Sequence, residues 1–134
     1  MIDINTLPHL AFESMNQVHA QEVERLNNLY TLLDTAILDA ECIDEALVEI
    51  VAHTREHFAG EEKLMKQVSF PTYNIHKAEH GRVLNEMQYV IMDWNNRKDY
   101  ERLNEYFKEE IPAWLHQHVS SMDVPAAEFI ALRS

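Results

Sequence analysis

The chain has 134 residues, a length that fits one domain around one core, and 46% hydrophobic with 25% charged residues excludes a disordered tail. A formal net charge of −12 excludes nucleic acid as a partner, because phosphates would be repelled over most of the surface. No apolar run reaches the roughly 18 residues of a spanning helix. The first twenty residues carry Asp3 and Glu13 without Lys or Arg, and Cys42 is the lone cysteine, so no membrane span, no signal peptide, no internal disulfide and a cytoplasmic location are expected.

Two glycines and four prolines leave little turn chemistry for strands, and the apolar positions follow 3-4 spacing, so the fold class is all-α. After a short N-terminal arm, a first helix is expected from about Phe12 to about Leu38, striped through Phe12, His19, Val23, Leu26, Tyr30, Leu33 and Ile37, with DAEC ending it. A second runs from about Asp44 to about Gln67 through Leu47, Ile50, His53, His57, Glu61, Leu64 and Val68. It closes before Pro71, whose ring bars the preceding residue from helix. The third covers about Tyr73 to Trp94 through His76, His80, Val83, Met87, Ile91 and Trp94, and the polar DWNNRKD follows. The fourth covers about Tyr100 to Val119 through Leu103, Phe107, Ile111, Trp114 and His118, with a bend or restart expected at Pro112 and a short C-terminal tail beyond.

Four amphipathic helices with short connections make an antiparallel up-down-up-down four-helix bundle, here read as one domain over residues 1–134 with its core at about 12–123. Every stripe contains histidine. His19 is early in the first helix, His57 and Glu61 late in the second, His76 and His80 early in the third, and His118 late in the fourth. Alternating helix direction carries all of these to one end. His57 with Glu61, and His76 with His80, are four residues apart, about 40° around a helix, which is how a helix offers two ligands to one ion. One buried histidine is ordinarily a hydrogen-bonded core residue. Five in one layer would be costly to desolvate without a shared partner.

Asp123 lies five residues past His118, about 140° off its face on a straight helix. SSM and Pro125 suggest that the helix ends there, so Asp123 is expected on a loop folded back over the site, a helix-end or turn role being its simpler reading. Seven donors exceed one tetrahedral zinc and suit two ions sharing carboxylates, and an imidazole-carboxylate set suits iron better than a thiolate-seeking metal. Glu62 points about 100° away from Glu61 and is not expected to bridge. His116 and His9 are not expected as ligands, and His53 is open between an orienting role and ordinary packing. EVER and ERLNEYFKEE read as solvated faces, and Gly60 and Gly81 as points of close helix approach or tolerated residues.

NQVH at 16–19, HFAGEEKLM at 57–65, FPTYNIHKAEH at 70–80 and WLHQHVSSMD at 114–123 together resemble the hemerythrin family, in particular its single-domain bacterial members. The lead-in to His19 departs from many of those members. The resemblance implies a non-haem di-iron centre. His76, His80 and His118 would hold one iron and His19 and His57 the other, with Glu61, Asp123 and an oxo or hydroxo group as bridges. It implies reversible binding of dioxygen at the open position of the second iron, for carriage, storage or delivery, rather than an enzyme. An apolar wall short of proton donors would protect that state, with Val23, Leu64, Trp114 and Met122 as candidate members.

Two other readings use the same donors: a di-iron oxidase or peroxidase-like enzyme, and a module that stores or senses iron, nitric oxide or oxygen. Against the enzyme, the chain has no Glu-x-x-His pair of the ferritin-like kind, and its donors are mostly imidazole. The residues do not identify a protein partner or an oxygen-consuming enzyme downstream.

Overall fold

In the computed structural model, which describes residues 1–134, α1 (Glu13–Leu33), α2 (Ala40–Gln67) and α3 (Tyr73–Arg97) are long uninterrupted helices. A fourth helical run extends from Tyr100 to Leu132. It consists of α4 (Tyr100–Glu105), α5 (Ile111–His118) and α6 (Val124–Leu132), joined by π-helical turns at Tyr106–Glu110 and Val119–Asp123. There is no strand. Helix α1 packs on α2, α2 on α3 and α3 on α4, and the first π turn meets α1 again, closing an all-α four-helix bundle.

Alternating direction divides the bundle into two halves. Leu26, Leu29 and Leu33 of α1, Ile43, Leu47 and Ile50 of α2, Met87 of α3, and Leu103, Tyr106 and Phe107 of the fourth run are fully buried and fill one half with side chains that are apolar but for the Tyr106 hydroxyl. The other half receives the start of α1 and α3 and the end of α2 and α5. His19, His57, Glu61, His76, His80, His118 and Asp123 are buried there, each no more than 6% exposed.

The helix ends differ from the sequence expectation where capping competes with periodicity. Helix α1 stops at Leu33, not near Leu38, and Ile37 is 88% exposed. Rather than ending the first helix, DAEC starts the second: Asp39 is the N-cap, its carboxylate accepting from the Cys42 backbone N–H at 3.1 Å. Helix α2 ends in a Schellman motif, with Phe70 N–H on Met65 O at 2.9 Å, Ser69 N–H on Lys66 O at 3.2 Å, and Ser69 left-handed at φ 56°. ERLNEYFKEE is not wholly solvated, because Tyr106 beside the expected Leu103 and Phe107 is fully buried.

The bend anticipated at Pro112 takes the form of a π turn. Ile111 N–H reaches back five residues to Tyr106 O, and Pro112, which has no N–H to give, sits in the first turn of α5. The same device recurs at Val119–Asp123, where Val124 N–H bonds Val119 O and Pro125 opens α6. Two expectations are overturned here. The C-terminal tail is helical, and Asp123 is the last residue of a helical turn rather than part of a loop. The N-terminal arm is pinned to α1 by paired bonds of Asn27 with Ile2 and of Asn16 with Leu10, all between 2.8 and 2.9 Å.

Candidate metal centre

Each helix contributes to the buried layer for a local reason. In α2 and α3 the four-residue step puts His57 over Glu61 and His76 over His80. In the fourth run the second π turn brings Asp123 beneath His118, because a turn closed five residues back aligns positions five apart. All seven candidate donors therefore converge. One atom each of Glu61, His76, His80, His118 and Asp123 lies within 4.8 Å of all the others, and the same holds for His19, His57 and Glu61.

The two carboxylates stand between the two groups. Glu61 Oε2 faces His57 Nε2 at 2.8 Å and His19 Nε2 at 3.4 Å, while its Oε1 faces His80 Nε2 at 3.2 Å and His76 Nε2 at 3.8 Å. Asp123 Oδ2 lies 3.1 Å from His19 Nε2, and its Oδ1 lies 3.0 Å from His76 Nε2 and 3.2 Å from His118 Nε2. Glu61 thus presents one oxygen to His19 and His57 and the other to His80 and His76, and Asp123 presents one to His19 and the other to His76 and His118.

Distance alone would make these hydrogen bonds, yet several are not. His19 Nε2, His80 Nε2, Glu61 Oε1 and both Asp123 oxygens are buried without a hydrogen-bond partner. Their directions miss one another and leave lone pairs aimed into a common interior. His76 Nε2 and His118 Nε2 meet at 3.1 Å, a contact in which only one ring can donate. Donor atoms about 2.1 Å from an ion at right angles are about 3 Å apart, so these separations fit cations between the groups. The donors are all imidazole and carboxylate. Cys42 is apart from them, its thiol on Asp39.

Charge pairing holds the layer together. Burial by itself would push the Glu61 carboxyl up, but His57, His19 and His80 hold it well below the usual value. Burial and Glu61 act the same way on Asp123, and the adjacent imidazoles of His118, His19 and His76 overcome them and lower it. Burial lowers His57, and Glu61 and Glu22 reverse the sign and raise it to about 10. Both carboxylates are ionised, and a metal would displace the proton from His57.

Further side chains back the donors, and most of them escaped the sequence reading. Phe58 stacks on His80 with ring centroids 3.9 Å apart, and Trp114 stacks on His118 at 4.5 Å. Trp114 Nε1–H donates to Glu79 at 2.9 Å, directing the indole donor away from the centre. Glu62 does not bridge, but its Oε2 lies 2.9 Å from His80 Nδ1. Glu22, read as part of a solvated EVER, is only 6% exposed and pairs with His53 and Thr54. The available signal was register: Glu22 is one turn past His19, and His53 one turn before His57. His116 is at the surface against Thr6, and His9 faces solvent beside Glu13. Nothing lies within 4 Å of a Cβ placed on Gly60 or Gly81, so neither marks a close approach.

Two clefts reach the layer. One of about 310 Å³ between α1 and α2 is lined by His57, Glu61, Gly60, His53 and Leu64, and one of about 450 Å³ includes His76 and Met122. A narrow space of about 10 Å³ beside His57, walled by Phe58, Val83, Met87 and Trp114, is no larger than one water. Of the expected wall, Leu64, Trp114 and Met122 line these spaces, and Val23 is buried without doing so.

The bundle and its buried donor set define a metal-binding protein. The family model for the hemerythrin HHE cation binding domain matches residues 10–124. A bacteriohemerythrin of Aquifex aeolicus is 34% identical over 114 residues, covering 85% of this chain and 86% of that one. One of Ralstonia nicotianae is 34% identical over 108 residues (77% and 74%), and one of Stenotrophomonas maltophilia 22% identical over 120 residues (90% and 75%). No solved structure matches significantly. The chain belongs to the hemerythrin family, as its motifs suggested.

Proposed function

We propose that the centre holds two iron ions and binds dioxygen reversibly, as a carrier, store or delivery protein rather than an enzyme. His76, His80 and His118 would hold one ion and His19 and His57 the other, with Glu61, Asp123 and an oxo or hydroxo group shared between them. The observation that carries this reading is the split of each carboxylate, with one oxygen toward the pair of imidazoles and one toward the trio. When bound, such an iron pair supplies an open coordination position and two electrons for dioxygen.

The chain's own residues supply the rest. Two rings against three leaves the His19 and His57 side one donor short, which is where a small ligand fits. Glu61 and His57 border the 310 Å³ cleft, which gives that side access from solvent. Phe58, Val83, Met87 and Trp114 exclude water from the narrow side. The bond from Trp114 Nε1–H to Glu79 withholds a proton donor that would otherwise face the centre.

The test is iron counting with absorption spectra of anaerobically reduced protein before and after air. Two irons per chain and a visible charge-transfer band that appears and disappears over repeated cycles are expected. His118→Ala and Glu61→Ala abolish the band, and His116→Ala keeps it. A protein without stoichiometric iron, or a band lost irreversibly in the first cycle, refutes the reading.

A further inference from the structure

We propose that Glu22 is the positioning residue of His57: its carboxylate, fixed by Thr54 and His53, accepts the Nδ1–H of that ring when Nε2 holds an ion. The inference rests on the metal-ligand role of His57 proposed above and extends it to a residue outside the donor set.

Glu22 is a buried carboxylate with no lysine or arginine to neutralise it; its partners are on α2. Thr54 Oγ donates to Oε1 at 2.7 Å, and His53 Nδ1 pairs closely with Oε2. The same Oε2 lies 3.8 Å from His57 Nδ1, an atom buried without any hydrogen-bond partner. That gap exceeds a hydrogen bond by roughly 1 Å, within reach of a small tilt of the ring. The opposite nitrogen of His57 is turned to Glu61 at 2.8 Å. An ion taking Nε2 fixes the proton on Nδ1, and Glu22 is the acceptor facing it.

The other half of the centre supplies an internal comparison. Glu62 stands behind His80 in the same relation, Oε2 on Nδ1 at 2.9 Å. One ring of each group thus has a carboxylate at its back, an arrangement that fixes the tautomer and makes Nε2 a stronger donor. His53 extends the network outward, its Nε2 lying 3.3 Å from Gln21 Oε1 at the 310 Å³ cleft. A more electron-donating His57 favours the oxidised charge state of the ion it holds, the side of the centre that is one donor short.

The test compares the full-length iron-loaded wild type with Glu22→Gln, with the double variant Glu22→Leu/His53→Phe, and with the surface control Glu49→Gln. The double variant replaces Glu22 and its closest partner by apolar groups, and the Thr54 hydroxyl left behind can turn to a backbone carbonyl of its own helix, so the fold is kept where the single change also strands His53. Readouts are the rate of iron release to excess chelator and the midpoint potential by spectroelectrochemistry. Both Glu22 variants are expected to load two irons, to release them about 10–100-fold faster than wild type, and to shift the potential upward. Glu49→Gln matches wild type. Release and potential equal to wild type in either Glu22 variant overturn the proposal, even where the melting temperature falls, because a purely structural residue would move only the latter. Wild type without iron refutes the parent reading, and this one with it, before any variant is compared.

Discussion

Phe58 connects the packing of the bundle to the behaviour of its centre. It is 3% exposed, lies parallel to His80 at 3.9 Å with an interplanar angle of 4°, and meets Trp114 edge-on at 6.0 Å. Phe58→Ala removes a buried ring at about 3–5 kcal/mol, and the lost stack contributes about 0.5–1.5 kcal/mol of that range's upper end. A chain of 134 residues has about 7–20 kcal/mol of stability in all, so the variant folds with a large part of its margin gone. Urea unfolding of the metal-free protein should show a midpoint lower by about 2 M, taking an m value of about 2 kcal/mol/M. The second consequence is local. The space of about 10 Å³ beside His57 would grow by most of a ring and admit water to His57, and the face of His80 that Phe58 now covers would be bared. The visible band formed in air should therefore decay several-fold faster, while Phe58→Leu, with less volume lost, lies between the two. A stability loss under about 1 kcal/mol, or an unchanged lifetime of the band in Phe58→Ala, would refute the role assigned to this ring.

Three further outcomes are expected. Asp123→Ala lowers iron content to one ion or none, and adding Met122→Asp does not restore it, because the π turn and not the four-residue step sets the register; recovery of both irons in the double variant, measured by elemental analysis, would contradict the turn geometry. Ser69→Gly stabilises the protein by about 0.5–1 kcal/mol, since Ser69 occupies the left-handed region at φ 56° where glycine avoids the Cβ clash, and thermal melts giving no gain would show that the site is unstrained. Chelation lowers the melting temperature, because free metal at about 100 times its Kd adds about 2.7 kcal/mol to the folded state; identical melts with and without chelator would mean that the donor layer is self-sufficient.

The helical stripes and the histidine layer were legible because both depend on one period. A 3.6-residue repeat identifies which residues face inward, and alternating helix direction then assigns His19, His57, His76, His80 and His118 to one depth without any knowledge of contacts. Capping was less legible, since Asp39 as an N-cap and Asp39 as part of a break look alike until the Cys42 N–H is seen bonded to it. Glu22 shows where residue type misleads. A glutamate within EVER reads as surface because few carboxylates are buried unpaired, and only the facing His53 and Thr54 reveal that it is paired. Glu62 was correctly denied a bridging direction, but the same 100° offset carries it behind His80, a position that depends on how α2 lies against α3 and not on either helix alone.

The error at Asp123 explains how the centre is built. Straight-helix geometry leaves position five out of line with His118, and a loop seemed the only way back. The structure instead widens the helix by one residue, and the serines that occupy the widened turn face outward, Ser121 Oγ donating to Gln117 O at 2.7 Å. Pro125 follows where its missing N–H is tolerated, and the chain continues as α6, with Ala126, Ala127 and Ile130 buried and Phe129 edge-on to Phe70 at 5.2 Å. Asp123 is therefore clamped between two packed helical segments. Glu61 is likewise fixed in the middle of α2, against which α6 packs. With both carboxylates on rigid elements, the span between the two groups of imidazoles follows from how α2 lies against the fourth run, so the placing of Glu61 and Asp123 between them is set by the core's packing rather than by a mobile loop.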